Sequence, residues 1–139
     1  MTKQPKDELH LVVEEWIDKA EEDFGAAEFL LSSEQSFYNV VAFHCQQSAE
    51  KYLKALLVRH QVEFPKTHDL EELLSLVSSV ASKIALSLKE CAIMTIYGVD
   101  IRYPDDAPEV SEKEAKDSLR LASLVREKVL ESLHEFLKN

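Results

Sequence analysis

Phe43-His44-Cys45-Gln46-Gln47-Ser48-Ala49-Glu50-Lys51-Tyr52-Leu53-Lys54-Ala55-Leu56-Leu57 is the stretch from which the fold can be read. At about 100° per residue, Val41, Ala42, Ala49, Tyr52, Leu53 and Leu56 fall within about 80° of Cys45, which defines a buried stripe on a helix. Just beyond one edge of that stripe lie His44, Gln47 and Lys51, with Ala55 beside them. An imidazole, an amide and a cation on one flank can bind an anion or an amphipathic partner. From His44 to Lys51 is two turns, about 10 Å, a span that suits a nucleotide phosphate plus sugar. The plain alternative is that His44 is a hydrogen-bonded boundary histidine and Lys51 a lysine laid along the surface.

Outward from this helix the same period recurs. Val13, Trp16, Ile17, Ala20, Phe24, Ala27 and Leu31 predict a first helix over about residues 9–32, its acidic face turned to solvent. Polar residues 33–36 break the pattern, and the central helix then runs to about His60, short of Pro65. Thr67 or Asp69 can cap a third helix through Val80, with Leu70, Leu73, Leu74 and Val77 inward. A fourth is predicted from about Ser82 to Tyr97 on Ile84, Leu88, Cys91, Met94 and Thr95, with Gly98 as its C-terminal cap. Residues 98–110, with one Gly and two Pro, form the longest irregular segment. Ser111 and Glu114 make a capping box for a last helix, whose core stripe is Ala115, Leu119, Ala122, Val125, Val129, Leu133 and Phe136. No stretch alternates as a strand would, and no repeat appears. Residues 1–139 therefore read as one all-α domain, an up-and-down antiparallel bundle of four to five helices.

Composition narrows the function. The chain has 139 residues, 45% of them hydrophobic, and a formal net charge of -10, which repels phosphate backbones and argues against indiscriminate nucleic-acid binding. Ten acidic groups face only Lys19 between residues 7 and 34, whereas Lys51, Lys54, Arg59 and Lys66 oppose only Glu63 between 51 and 68. That local basic balance can hold a specific anion or be an ordinary solvated surface. No apolar run approaches the roughly 18 residues of a membrane span. Cys45 and Cys91 fall on apolar faces, and the first residues lack the blocks of a secretion signal, so a reduced, cytoplasmic setting is expected.

Several chemistries fail on spacing. The five histidines form neither His-Glu-x-x-His nor an i, i+4 pair, so no metal site is expected. Two glycines cannot build a phosphate-cradling loop, which leaves no fingerprint for a bound cofactor. Cys45 points inward and no serine sits in an elbow motif, so no catalytic nucleophile is assigned. Arg102 remains, beside Tyr103 and before Pro104, as a bidentate anion contact. Asp100, Asp105 and Asp106 can instead neutralise it locally, and Tyr97 and Tyr103 can stack on a base or seal the bundle end.

Trp16-x-x-x-Ala20-x-x-Asp23-Phe24-x-x-Ala27, the block from Phe43 to Leu57, Thr67-His68-Asp69-Leu70 and Arg102-Tyr103-Pro104-Asp105 together resemble the small HEPN domains. The resemblance implies a dimerising helical bundle, often paired with a minimal nucleotidyltransferase in toxin-antitoxin systems, with nucleotide or RNA as ligand. Active members use an Arg followed after four to six residues by His to cleave RNA. Arg102 has no such histidine, and Arg126 reaches His134 only after seven intervening residues. The expectation is thus a non-catalytic homodimer that binds a mononucleotide, a nucleotidyltransferase partner or both, through His44, Gln47, Lys51, Tyr97, Arg102 and Tyr103. The alternatives are a ribonuclease toxin drawing its acid-base group from His44 or His68, and a pure protein-interaction adaptor.

Overall fold

The structure is a computed structural model that describes residues 7–98 and 109–138. Helix α1 spans Glu8–Leu31, α2 Tyr38–Arg59, α3 Leu70–Ser78, α4 Ser82–Ser87 and α5 Glu112–Lys138, with a 3-10 helix, Lys89–Tyr97, between α4 and α5. No strand occurs among the described residues. Asp7 caps α1 by accepting from the His10 amide at 2.8 Å, and Asp69 caps α3 through the Glu71 amide at 3.0 Å. The capping box on α5 forms in full: the Ser111 amide donates to Glu114 Oε1 and the Glu114 amide to Ser111 Oγ, both at 3.1 Å.

Side-chain pairing sets the helix directions. Asp23 meets His44 and Lys51 while Glu21 meets Tyr52, so α1 and α2 are antiparallel neighbours. The Val110 amide bonds Asn39 near the start of α2, and Arg59 at its end covers the Phe136 ring, so α5 runs alongside α2 in the same sense. The return between them is made by α3, α4 and the 3-10 helix. At the centre, α2 buries not only the stripe predicted around Cys45 but also Gln46, Ser48, Glu50, Lys54 and Leu57. Complete burial of Leu53, Leu56 and Leu57 stabilises the bundle by about 1.5–3 kcal/mol each relative to exposure.

Two expectations are corrected. The fourth helix is not continuous: after six α-helical residues the chain tightens into the 3-10 form. The cause is visible in Leu88, Cys91 and Met94, which are fully buried at strict spacings of three, the period of a 3-10 turn rather than of an α-helix. Thr95 is not part of that inward stripe, its hydroxyl accepting instead from the Leu70 amide at 3.0 Å. Gly98 does end the element, but with φ -87 rather than in a left-handed cap. Space is what requires glycine there, since a Cβ would sit 2.6 Å from the Gln46 side chain.

The acidic face of α1 is also divided. Glu15, Asp18, Glu22 and Glu28 are exposed, whereas Glu21 and Asp23 turn towards α2 and α5. Cys45 and Cys91 are free and buried, and burial pushes both thiols up to about 12. Among the described residues no helix is long and apolar enough to cross a membrane.

Candidate functional site

The flank of α2 picked out by its sequence is organised by α1. Asp23 accepts from His44 Nδ1 at 2.8 Å with one carboxylate oxygen and from Lys51 Nζ with the other. With a carboxylate as partner, His44 Nδ1 must carry the hydrogen, and in the neutral ring the lone pair lies on Nε2. The Lys51 charge is matched by Asp23, and both are mostly shielded from solvent.

A second network starts one residue away and lies deeper. Glu50 is buried and takes three contacts: Lys54 Nζ at 3.1 Å, His68 Nδ1 at 2.8 Å and Gln46 Nε2 at 3.3 Å. Gln46 is fully buried, and its Nε2 also donates to the His68 carbonyl at 3.1 Å. Its Oε1 accepts from Gln47 Nε2 at 2.7 Å. Lys54 Nζ lies 5.6 Å from the ring centres of both Trp16 and Phe64, so its charge is met by a carboxylate and two aromatic faces. Burial of this ion pair is tolerable because every partner is supplied.

The basic balance counted between residues 51 and 68 therefore does not form an open cationic patch. Lys51 is paired with Asp23, Lys54 with Glu50, and the Arg59 guanidinium lies 4.5 Å over Phe136.

A third set clamps three helices. Arg126 of α5 donates to both oxygens of Glu21, from Nε at 2.7 Å and Nη2 at 3.0 Å, and Tyr52 OH donates to Glu21 Oε1 at 2.6 Å. Partial burial alone would raise the Glu21 pKa, but the Arg126 and Tyr52 hydrogen bonds and the Arg126 charge bring it below its ordinary value. Burial and the Glu21 carboxylate push Tyr52 upward, so it stays a neutral donor.

Of the six residues expected in the site, His44, Gln47 and Lys51 do share one flank, His44 and Lys51 joined through Asp23 and Gln47 held separately by Gln46. Tyr97 is half-buried, its hydroxyl donating to Glu114 Oε2 on α5 at 3.4 Å, and burial and that carboxylate raise its pKa. Arg102 and Tyr103 lie outside the described residues. The chain does, however, enter their segment at Gly98, against Gln46, and leave it at Val110, whose amide donates to Asn39 Oδ1 at 2.9 Å. Both anchor points are on α2, two turns apart and on the side of the helix turned away from His44. Asp23, Gln46 and Glu50 are the site's missing parts in the sequence reading, which weighed His68 only as an alternative acid-base group. Gln46, Glu50 and Lys54 stand about 100–180° from Cys45, outside the apolar stripe, so the pattern gave no signal that they are buried. Among the described residues no cluster of three or more His, Cys, Asp or Glu is placed to hold a metal ion.

An all-helical bundle whose central helix buries hydrogen-bonded polar rows between α1 and the α3 entry defines the class of domain. The family model of the HEPN domain matches residues 13–133, and the chain belongs to that family. Its fold is similar to that of TT1696 from Thermus thermophilus, seen in a crystal structure, with a TM-score of 0.68 and 28% identity over 86% of this chain and 96% of that one. No curated protein matches the chain.

Proposed function

We propose that the chain is a non-catalytic, homodimeric HEPN protein that binds a nucleotide, a minimal nucleotidyltransferase partner, or both. The observation that carries the nucleotide reading is the α2 flank, where Asp23 holds His44 and Lys51 and Gln46 holds Gln47, Gln46 also meeting Gly98, where the chain enters the Arg102 segment. Arg102 supplies the main phosphate contact, since Asp23 already offsets the Lys51 charge, and Lys51 adds its remaining N–H donors. His44 and Gln47 hydrogen bond the sugar or base. Stacking falls to Tyr103, with Tyr97 flanking the entry to its segment.

Calorimetric titration with adenine and guanine nucleotides tests this. Saturable binding that is lost in the Lys51→Ala, Arg102→Ala double variant supports the site; a folded double variant that binds as the wild type does refutes it. Support for an assembly surface comes from a groove of about 620 Å³ between α3, α4 and the 3-10 helix, where Leu74, Ala85 and Ala92 lie beside Leu86, itself 74% exposed. Sedimentation equilibrium giving only the monomer mass would remove the homodimer from the reading.

One observation favours the ribonuclease alternative. Asp23 orients His44 through Nδ1 and leaves Nε2 as a base, the arrangement that general acid-base catalysis uses. Purified protein that leaves single-stranded and structured RNA intact across neutral pH would dismiss it.

A further inference from the structure

Two hydrogen-bond networks that do not touch each other end on the same flank of α2, and both end in an acceptor. On the first, Asp23 requires His44 Nδ1 to donate, which leaves the Nε2 lone pair outward. On the second, the direction is relayed through two amides. Gln46 faces the Glu50 carboxylate and the His68 carbonyl, both acceptors, so it must present its NH2 to them. Its oxygen then faces Gln47, which must donate its own NH2. Gln47 Oε1 is thereby turned away as a second free acceptor. Among the described residues neither His44 Nε2 nor Gln47 Oε1 has a hydrogen-bond partner, and neither atom is buried.

We propose that His44 Nε2 and Gln47 Oε1 form a preset acceptor pair that recognises the exocyclic amino group of an adenine-type base. The proposal rests on the nucleotide reading above and deepens it. An amino group directs its two N–H bonds about 120° apart, and with bonds of about 2.9 Å its two acceptors stand about 5 Å from each other. Residues at i and i+3 share one helix face with Cβ atoms about 5–6 Å apart, so the His44 and Gln47 side chains are neighbours that can approach one such group. Charge agrees with the assignment. Asp23 offsets Lys51 and Glu50 offsets Lys54, so this part of the flank is neutral and suits an uncharged donor better than a phosphate. A keto oxygen in place of the amine would meet two lone pairs, and a site built on fixed hydrogen bonds discriminates strongly against the analogue that cannot make them.

ATP and ITP differ in the C6 group and in N1, an acceptor in ATP and an N–H donor in ITP, so calorimetric titration of the full chain with each, and with purine riboside triphosphate, which lacks the amine and keeps the N1 acceptor, reads the proposal. ATP should bind at least about tenfold more tightly than either, the factor expected when two acceptors are left unmet. Equal affinities for ATP and purine riboside triphosphate, or tighter binding of ITP, would overturn the base assignment and leave the nucleotide site standing. No heat with any of the three would overturn both.

Gln46 is a positioning residue, and its role has its own readout. Gln46→Leu frees the Gln47 amide to turn, so the ATP-to-ITP preference should fall towards one. Gln47→Glu in that background should restore the preference, because a carboxylate offers only acceptors. Gln47→Met changes a half-buried position and removes one bond to Gln46 Oε1, leaving the contacts among Gln46, Glu50, Lys54 and His68 in place. If that variant is folded and retains the wild-type preference, the acceptor pair is wrong whatever becomes of Gln46→Leu.

Discussion

Glu21 and Asp23 stand two residues apart on α1, and each receives two side chains, yet they build opposite things. Around Glu21, Arg126 occupies both oxygens and Tyr52 adds a third bond, tying three helices and leaving over only guanidinium N–H donors of Arg126. Around Asp23, each oxygen is also occupied, but one of its partners is an imidazole with a second nitrogen still open. A polar network whose bonds all close on themselves joins helices. One that ends in an unmet atom is a place where something else can bind.

The buried Glu50 network offers the strongest way to break this contrast, because it is closed at its core and open only at its rim, at Gln47 and at the exposed His68 ring. Glu50→Ala strands the buried Lys54 charge and should cost about 3–5 kcal/mol, read by urea unfolding. Gly98→Ala drives a methyl into Gln46, which three hydrogen bonds hold in place, and should cost about 1–3 kcal/mol in the same measurement. In the clamp, Tyr52→Phe removes one bond to a carboxylate that keeps Arg126, at a cost of about 1 kcal/mol.

Acid titration sharpens the comparison further. The Glu21 pKa is lowered in the folded protein, so its contribution is present above the ordinary carboxylate range and fades as pH falls through the lowered value. Glu21→Gln should therefore be less stable than wild type near neutral pH and converge with it in acid, by a small margin because the pair is more than a third exposed. The smallest stability effect belongs to the open side. His44→Ala removes one bond to a carboxylate that keeps Lys51 and should lower the unfolding free energy by no more than about 1 kcal/mol while weakening nucleotide binding in calorimetry. A large loss of stability there would erase the distinction between the two networks.

What the sequence made legible followed from local rules. The α2 stripe around Cys45, the Ser111 capping box and the Asp69 cap depend on neighbours within a few residues, and each forms as read. The 3-10 helix was not read as one: Leu88, Cys91 and Met94 carry its spacing, but a strict period of three overlaps the helical one over so short a run, and a single fourth helix was expected there. Charges were the part that could not be read. Asp23 looked like one more member of a solvated face, and Lys51 and Lys54 like the core of a basic region. Their pairing depends on how α1 lies against α2, which no local spacing encodes. His44, Gln47 and Lys51 were found because they share a helix; Arg102 and Tyr103 lie outside the described residues.

The two sealed thiols make the protein its own clock. Cys45 lies at the middle of α2 and Cys91 in the 3-10 helix, both buried and held in the unreactive protonated form. An alkylating reagent can reach each only when its surroundings open, so the labelling rate counts openings rather than surface exposure. Equal rates would mean that the bundle opens as one unit. Faster labelling of Cys91 would show the stretch between α4 and α5 breathing by itself, beside a central helix that stays shut.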